Sequence, residues 1–262
     1  MITKETLRQV VLQQKPEMLL PEETVKRAIL DEVLSSFKDN RIIILTGIRR
    51  SGKSTLLRQI MQRRKDCCYV NFEDERFIEF KAQDFEQLNE ILFEIYGDPK
   101  TYFFDEIQNV DKFETFVRRL QDQGKKVIVT GSNASLLSKE LGTRLTGRYK
   151  SFEVYPFSFA EYLAFRKVPL ADESFYITAK KVELIKLFED YRVNGGFPEY
   201  LKNKDRDYIR TVYENILYRD IIARYSIKRQ RVIKELVNIL TTNISSQFTY
   251  NSLKKALGLA NA

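Results

Sequence analysis

The 262 residues predict a three-layer α/β domain built on a parallel sheet, followed by an all-α domain. Two observations carry that expectation. Five short apolar runs alternate with helix-length stretches across residues 41–156, and past Pro156 the runs stop while helical periodicity continues. Composition permits both domains: 43% hydrophobic and 31% charged residues, with ten glycines and six prolines, suit a chain with a real core.

The elements follow in order. Residues 1–40 form an N-terminal helical segment, in which Val25, Ile29, Leu30, Val33, Leu34 and Phe37 recur at three-and-four spacing and predict a helix over 22–37. Residues 41–46 are a continuous run rich in β-branched side chains, the pattern of a strand buried on both faces. Four similar runs lie at 67–72, 101–104, 126–130 and 151–155. Helices are expected between them at 55–64, 85–96, 112–122 and 134–141. Residues 41–156 thus make the core domain. Residues 159–166, 179–193, 208–224 and 228–241 read as the helices of a second domain over 157–241. In the third of these, Tyr208, Ile209, Val212, Tyr213, Ile216 and Leu217 form one apolar stripe.

Several function classes drop out early. The chain has no histidine, so no imidazole base, Ser-His-Asp triad or histidine metal ligand is available. Cys67 and Cys68 are adjacent and make neither a metal knuckle nor a disulfide framework, which fits a reducing cytoplasm. The first residues lack the apolar stretch of a signal peptide, and no segment approaches the roughly 18–20 apolar residues of a membrane span. The expected protein is soluble and cytoplasmic, without a membrane partner. Its charge is uneven. From Lys202 onward there are twelve basic and five acidic residues, a net +7 of the chain's +8. Such a basic part fits an acidic partner such as DNA, or else a solvated helix surface.

The strongest signal is Gly47-Ile48-Arg49-Arg50-Ser51-Gly52-Lys53-Ser54, an unbroken G-x-x-x-x-G-K-[ST] between a strand and a helix that opens at Thr55. Glycines let the backbone turn its amides inward onto a polyphosphate, and the helix N-terminus adds partial positive charge. Lys53 is then expected on the β- and γ-phosphates, and the Ser54 hydroxyl on Mg²⁺. About fifty residues on, the strand at 101–104 runs into Asp105-Glu106. Asp105 is the expected magnesium carboxylate and Glu106 the residue that polarises the attacking water. No N-K-x-D guanine motif is present, because Asn203-Lys204-Asp205 is followed by Arg206, so the nucleotide is expected to be ATP.

After the strand at 126–130 come Gly131-Ser132-Asn133, small polar residues able to sense the γ-phosphate or to cap the following helix. Arg144 and Arg148 precede the fifth strand. Either is a finger for the γ-phosphate, from this chain or across a homo-oligomer interface, or an exposed loop charge.

Taken together, G-I-R-R-S-G-K-S-T, Y-F-F-D-E-I-Q, V-I-V-T-G-S-N-A-S-L-L-S, T-G-R-Y and G-G-F-P-E-Y-L resemble the AAA+ ATPases (ASCE-type P-loop NTPases) related to the archaeal ATPase and STAND lineages, from about residue 20 onward. The resemblance implies a sheet in the order 5-1-4-3-2 with a helical lid. It implies a sensor role for Ser132, an arginine role for Arg148, and a place near adenine for Pro198 of the Gly-Gly-Phe-Pro turn. It also implies a winged helix, of which residues 242–262 are the expected start, cut short before a recognition helix. The expected function is slow, magnesium-dependent ATP hydrolysis that switches lid against core. The alternative is a nucleotide-gated regulatory or DNA-binding switch with negligible turnover. A small-molecule kinase lacks any acceptor-site constellation.

Overall fold

Side-chain alternation along five strands decides how the layers assemble. The structure, a computed structural model, describes residues 2–19, 24–132, 147–170 and 176–259. Its strands are β1 (Ile42–Thr46), β2 (Cys67–Asn71), β3 (Thr101–Asp105), β4 (Lys126–Gly131) and β5 (Tyr149–Glu153). All neighbours pair parallel, in the order β2-β3-β4-β1-β5. This is the expected 5-1-4-3-2 order.

Because successive residues point to opposite faces, Ile42 and Ile44 meet Tyr102, Phe104, Val127 and Val129 on one side of the sheet. Helices α1 (Lys4–Leu19), α4 (Phe85–Tyr96) and α5 (Phe113–Asp122) cover that side. Ile43, Leu45, Phe103 and Ile128 face the other way, onto α2 (Leu30–Ser35) and α3 (Lys53–Met61). In α1, Leu7, Val10 and Val11 are fully buried against the sheet. Its Gln14 amide also donates to Asn71 O (3.1 Å) and accepts from Asn71 N (2.9 Å), satisfying the backbone of edge strand β2.

Phe116 illustrates how much this core is worth. It stacks on Phe85 at 4.4 Å between ring centroids and tilts against Phe104 at 5.8 Å. Phe116→Ala is expected to cost about 3–5 kcal/mol, lowering Tm by roughly 6–20 °C in a chain of this size. A calorimetric Tm unchanged within a degree would contradict the packing.

Two helices differ from expectation. The one predicted over 22–37 is helical only from Leu30, continued by a 3₁₀ turn at Ser36–Lys38. Upstream, side chains take the amides that a helix would use: Arg27 N–H donates to Gln59 Oε1 (3.1 Å) and Ala28 N–H to Glu161 Oε1 (2.8 Å). The helix predicted over 208–224 is α-helical only at Arg206–Glu214 and then winds as a π-helix over Asn215–Ala223. Its buried residues Val212, Leu217 and Ile222 stand five apart. Winding with i→i+5 bonds keeps such positions near one face, where α winding would turn them away. The helix predicted at 134–141 lies outside the described residues.

The chain divides into two units, Met1–Arg206 and Asp207–Ala262. Helices α6 (Phe159–Phe165), α7 (Thr178–Asn194) and α8 (Pro198–Asn203) belong to the first, around a small core of Phe157, Tyr162, Leu163, Leu184 and Leu201. The sequence reading groups them with the later helices; polar and apolar links to residues 25–28 and 157 bind them to the sheet unit instead. The second unit holds α9 (Arg206–Glu214) from its second residue, the π-helix, α10 (Gln230–Thr242) and α11 (Tyr250–Ala256). A reciprocal Thr249–Ser252 cap starts α11.

Candidate functional site

β1 ends at Thr46 and α3 begins at Lys53, so the turn between them has six residues to reverse direction. Two glycines make that possible. Gly47 has φ 144°, and a Cβ there would lie 2.2 Å from the Val154 carbonyl oxygen. Gly52 has φ 97°, and a Cβ there would lie 2.6 Å from Arg27 Nη1. Arg50 between them also has positive φ, 64°. Positive-φ positions turn successive amides toward one concavity.

Lys53, at the start of α3, is 5% exposed. Its ammonium donates to Gly47 O (3.0 Å) and Ile48 O (3.2 Å) and lies 3.5 Å from Glu106 Oε1. It therefore arches back over the turn, with its charge enclosed between the turn and Glu106. Ser54 hydrogen-bonds to Asp105 and Thr55 follows it on α3.

Asp105 and Glu106 sit at the C-terminal end of β3 and point differently. Asp105 is 3% exposed; Thr130 Oγ1 donates to it, and Tyr69 Oη donates at 3.3 Å. Burial pushes its carboxyl above the ordinary range; the neighbouring Glu106 charge adds to that, while Thr130, Ser54 and Lys53 oppose it. Glu106 has φ 51°, so its side chain departs from the strand's alternation. Its amide donates to Thr130 Oγ1 (2.9 Å), and its Oε2 accepts from Gln108 Nε2 and from Ser132 N (3.3 Å). The hydroxyls of Ser51 and Ser132 are buried with no hydrogen-bond partner among the described residues. Such orphaned donors call for a ligand or water.

The structure thus brings Gly47–Gly52, Lys53, Ser54, Asp105, Glu106 and Ser132 together at the C-terminal ends of β1, β3 and β4. Pro198 begins α8, beside Glu199, which pairs with Arg50 of the turn at 3.1 Å. Arg49 pairs with Glu73 at 2.9 Å. Arg148 is not brought in. It precedes β5, whose Tyr149 is in register with Ile42 at the start of β1, and its guanidinium pairs with Asp122 at 2.6 Å. The turn lies at the far end of β1, five residues or roughly 16 Å along the strand. Within one chain, then, Arg148 does not reach the concavity. Arg144 and Asn133 lie outside the described residues.

The sequence reading missed Thr130, Tyr69, Gln108, Arg27 and Glu161. A polar residue inside an otherwise apolar strand was the available signal for Thr130; nothing local marked Arg27 or Glu161.

Among the described residues there is no group of three or more acidic or cysteine side chains able to hold a metal alone. One carboxylate beside one hydroxyl does suit Mg²⁺, which is usually completed by substrate phosphates and water.

Residues 39–163 match the model of an AAA domain, and residues 185–262 match a domain of unknown function (DUF8612). An uncharacterized protein of Methanocaldococcus jannaschii is 35% identical over 265 residues, covering 99% of this chain and 58% of that protein. One from Haemophilus influenzae is 30% identical over 237 residues, covering 86% and 57%. The chain therefore spans little more than half the length of these relatives. Among solved structures, the Walker-type ATPase of Pyrococcus abyssi superposes with a TM-score of 0.50 at 16% identity, covering 92% of this chain and 93% of that one, a likeness of fold. No described helix is long and apolar enough to cross a membrane.

Proposed function

We propose, from the match of residues 39–163 to the model of an AAA domain, that the chain binds ATP with Mg²⁺ and hydrolyses it slowly at the β–γ phosphoanhydride. The observation that carries this reading is the buried Lys53 ammonium, held between two carbonyls of the turn and the Glu106 carboxylate. A cation so placed exchanges weak partners for phosphate oxygens when a polyphosphate enters.

The roles follow from that exchange. The amides of residues 47–55 cradle the phosphates, and Lys53 moves onto the β- and γ-oxygens. Ser54 and Asp105 would hold Mg²⁺, which supplies neutralisation of charge on the phosphates. Losing Lys53 as a neighbour leaves Glu106 to accept a proton from water, oriented by Gln108 and the Ser132 amide. The Ser132 hydroxyl has no hydrogen-bond partner among the described residues and suits the γ-phosphate or that water. Pro198 contributes near adenine through the helix whose Glu199 meets Arg50. Arg148 acts on the γ-phosphate across a homo-oligomer interface. The cycle then shifts the helical part against the core as a lid.

A second reading, a nucleotide-gated DNA-binding switch, is favoured by the basic second unit. Over residues 207–262 nine lysines and arginines stand against four acids, and two of the acids are taken by Arg210–Glu214 and Arg231–Glu235 pairs. Phosphate release and DNA binding, measured with and without duplex DNA at two salt concentrations, separate the readings. Five backbone contacts would cost affinity roughly 500-fold between about 50 and 200 mM salt. ATP hydrolysis that ignores DNA, with no salt-sensitive binding, leaves only the first reading. Negligible phosphate release with salt-sensitive, nucleotide-dependent DNA binding leaves only the second.

A further inference from the structure

Arg27 lies outside every motif of the phosphate cradle, yet it is 3% exposed and all three guanidinium nitrogens donate to groups far from it in sequence. Nε donates to Glu161 Oε1 (2.8 Å), Nη1 to Ser51 O (2.8 Å) and Nη2 to Tyr155 O (2.6 Å), and the group lies over the Phe157 ring at 5.4 Å. Glu161 is equally committed. Its Oε1 also accepts from Ala28 N (2.8 Å) and its Oε2 from Ser158 N (2.8 Å), while its own amide returns to Ser158 Oγ (3.2 Å). Burial acts to raise the Glu161 carboxyl, and the Arg27 and backbone donors outweigh it, holding it low.

The contact that matters is with Ser51 O. A trans peptide is planar, and its carbonyl and the following N–H point in opposite directions. Fixing the Ser51 carbonyl outward, onto a buried guanidinium, therefore aims the Gly52 amide inward. Gly52 fits this arrangement because a Cβ there would meet Arg27 Nη1 at 2.6 Å.

We propose that Arg27, held by Glu161, is a positioning residue for phosphate binding: it sets the orientation of the Ser51–Gly52 peptide and so of one amide of the cradle. This rests on the nucleotide reading above. Lysine cannot replace it, since a single ammonium on a flexible stem lacks the planar fork that reaches two carbonyls and a carboxylate together. Glutamine at 161 keeps an acceptor for Arg27 but turns an N–H₂ toward the Ser158 amide, so it loosens the same pin less severely.

The test is calorimetric titration of Mg·ATP onto the whole chain, for wild type, Arg27→Lys, Glu161→Gln and Phe116→Ala, each well below its own Tm. Arg27→Lys is expected to weaken binding at least about tenfold, as loss of a charged hydrogen bond implies, and Glu161→Gln roughly threefold. Phe116→Ala, destabilised but remote from the turn, is expected to keep wild-type affinity. Wild-type affinity in both Arg27→Lys and Glu161→Gln, with only their Tm lowered, would reduce the pair to a structural tie and overturn the proposal. Should Arg27→Lys fail to fold, Glu161→Gln decides alone by the same criterion. A wild-type chain that binds no nucleotide overturns the nucleotide reading itself, and this inference with it.

Discussion

Lys53→Ala is expected to weaken Mg·ATP binding by roughly 10² to 10³-fold, the value of two or so charge-assisted hydrogen bonds to phosphate. The side chain is almost wholly enclosed, so its ammonium is not competing with bulk water. Its present partners are the carbonyls of Gly47 and Ile48 at 3.0 and 3.2 Å and the Glu106 carboxylate at 3.5 Å. The removal also leaves Glu106 without its nearest cation, so negative charge at the mouth repels the incoming polyphosphate. Both effects act in one direction. Titration calorimetry or displacement of a fluorescent ATP analogue reads the loss, and circular dichroism establishes that the variant folds. An affinity within threefold of wild type would sink the assignment of this turn as the phosphate site.

Glu106→Gln is expected to do the opposite: retain nucleotide and lose turnover by about 10² to 10⁴-fold. The substitution is nearly isosteric, so contacts with Gln108 and the Ser132 amide have a counterpart. What disappears is a carboxylate able to take a proton from water. Lys53 is freed from its competing partner, so affinity is expected to hold or rise. Phosphate release at saturating ATP, together with bound nucleotide counted after rapid gel filtration, measures both halves. Unchanged turnover would remove Glu106 as the group that takes the proton from water.

The core domain is legible in the sequence because its signals are local. The run Ile42–Thr46, a glycine turn and Lys53 lie within a dozen residues, and Tyr102-Phe103-Phe104 leads straight into Asp105-Glu106. Each strand's burial on both faces appears as an unbroken apolar run. The helix expected over 22–37 failed for a reason absent from those residues. Its amides at 27 and 28 are taken by Gln59 and Glu161, residues 32 and 133 positions away. Likewise the single helix expected over 208–224 follows from its composition, and only burial at five-residue spacing explains why it winds as a π-helix.

Arg148 and Arg27 show the limit most clearly. One was singled out for standing before a strand; register places that position at the wrong end of the sheet for a contact within the chain. The other was one polar residue on an expected helix, yet it joins partners 24, 128 and 134 residues away. Sequence alone determined the strand–turn–helix unit, the paired carboxylates and the order of the layers, since backbone propensity and side-chain periodicity act over a few residues. Tertiary structure decided which charges are enclosed, which carbonyls they hold, and at which end of the sheet they work. Desolvation makes those choices, and it depends on atoms that only the folded chain brings near.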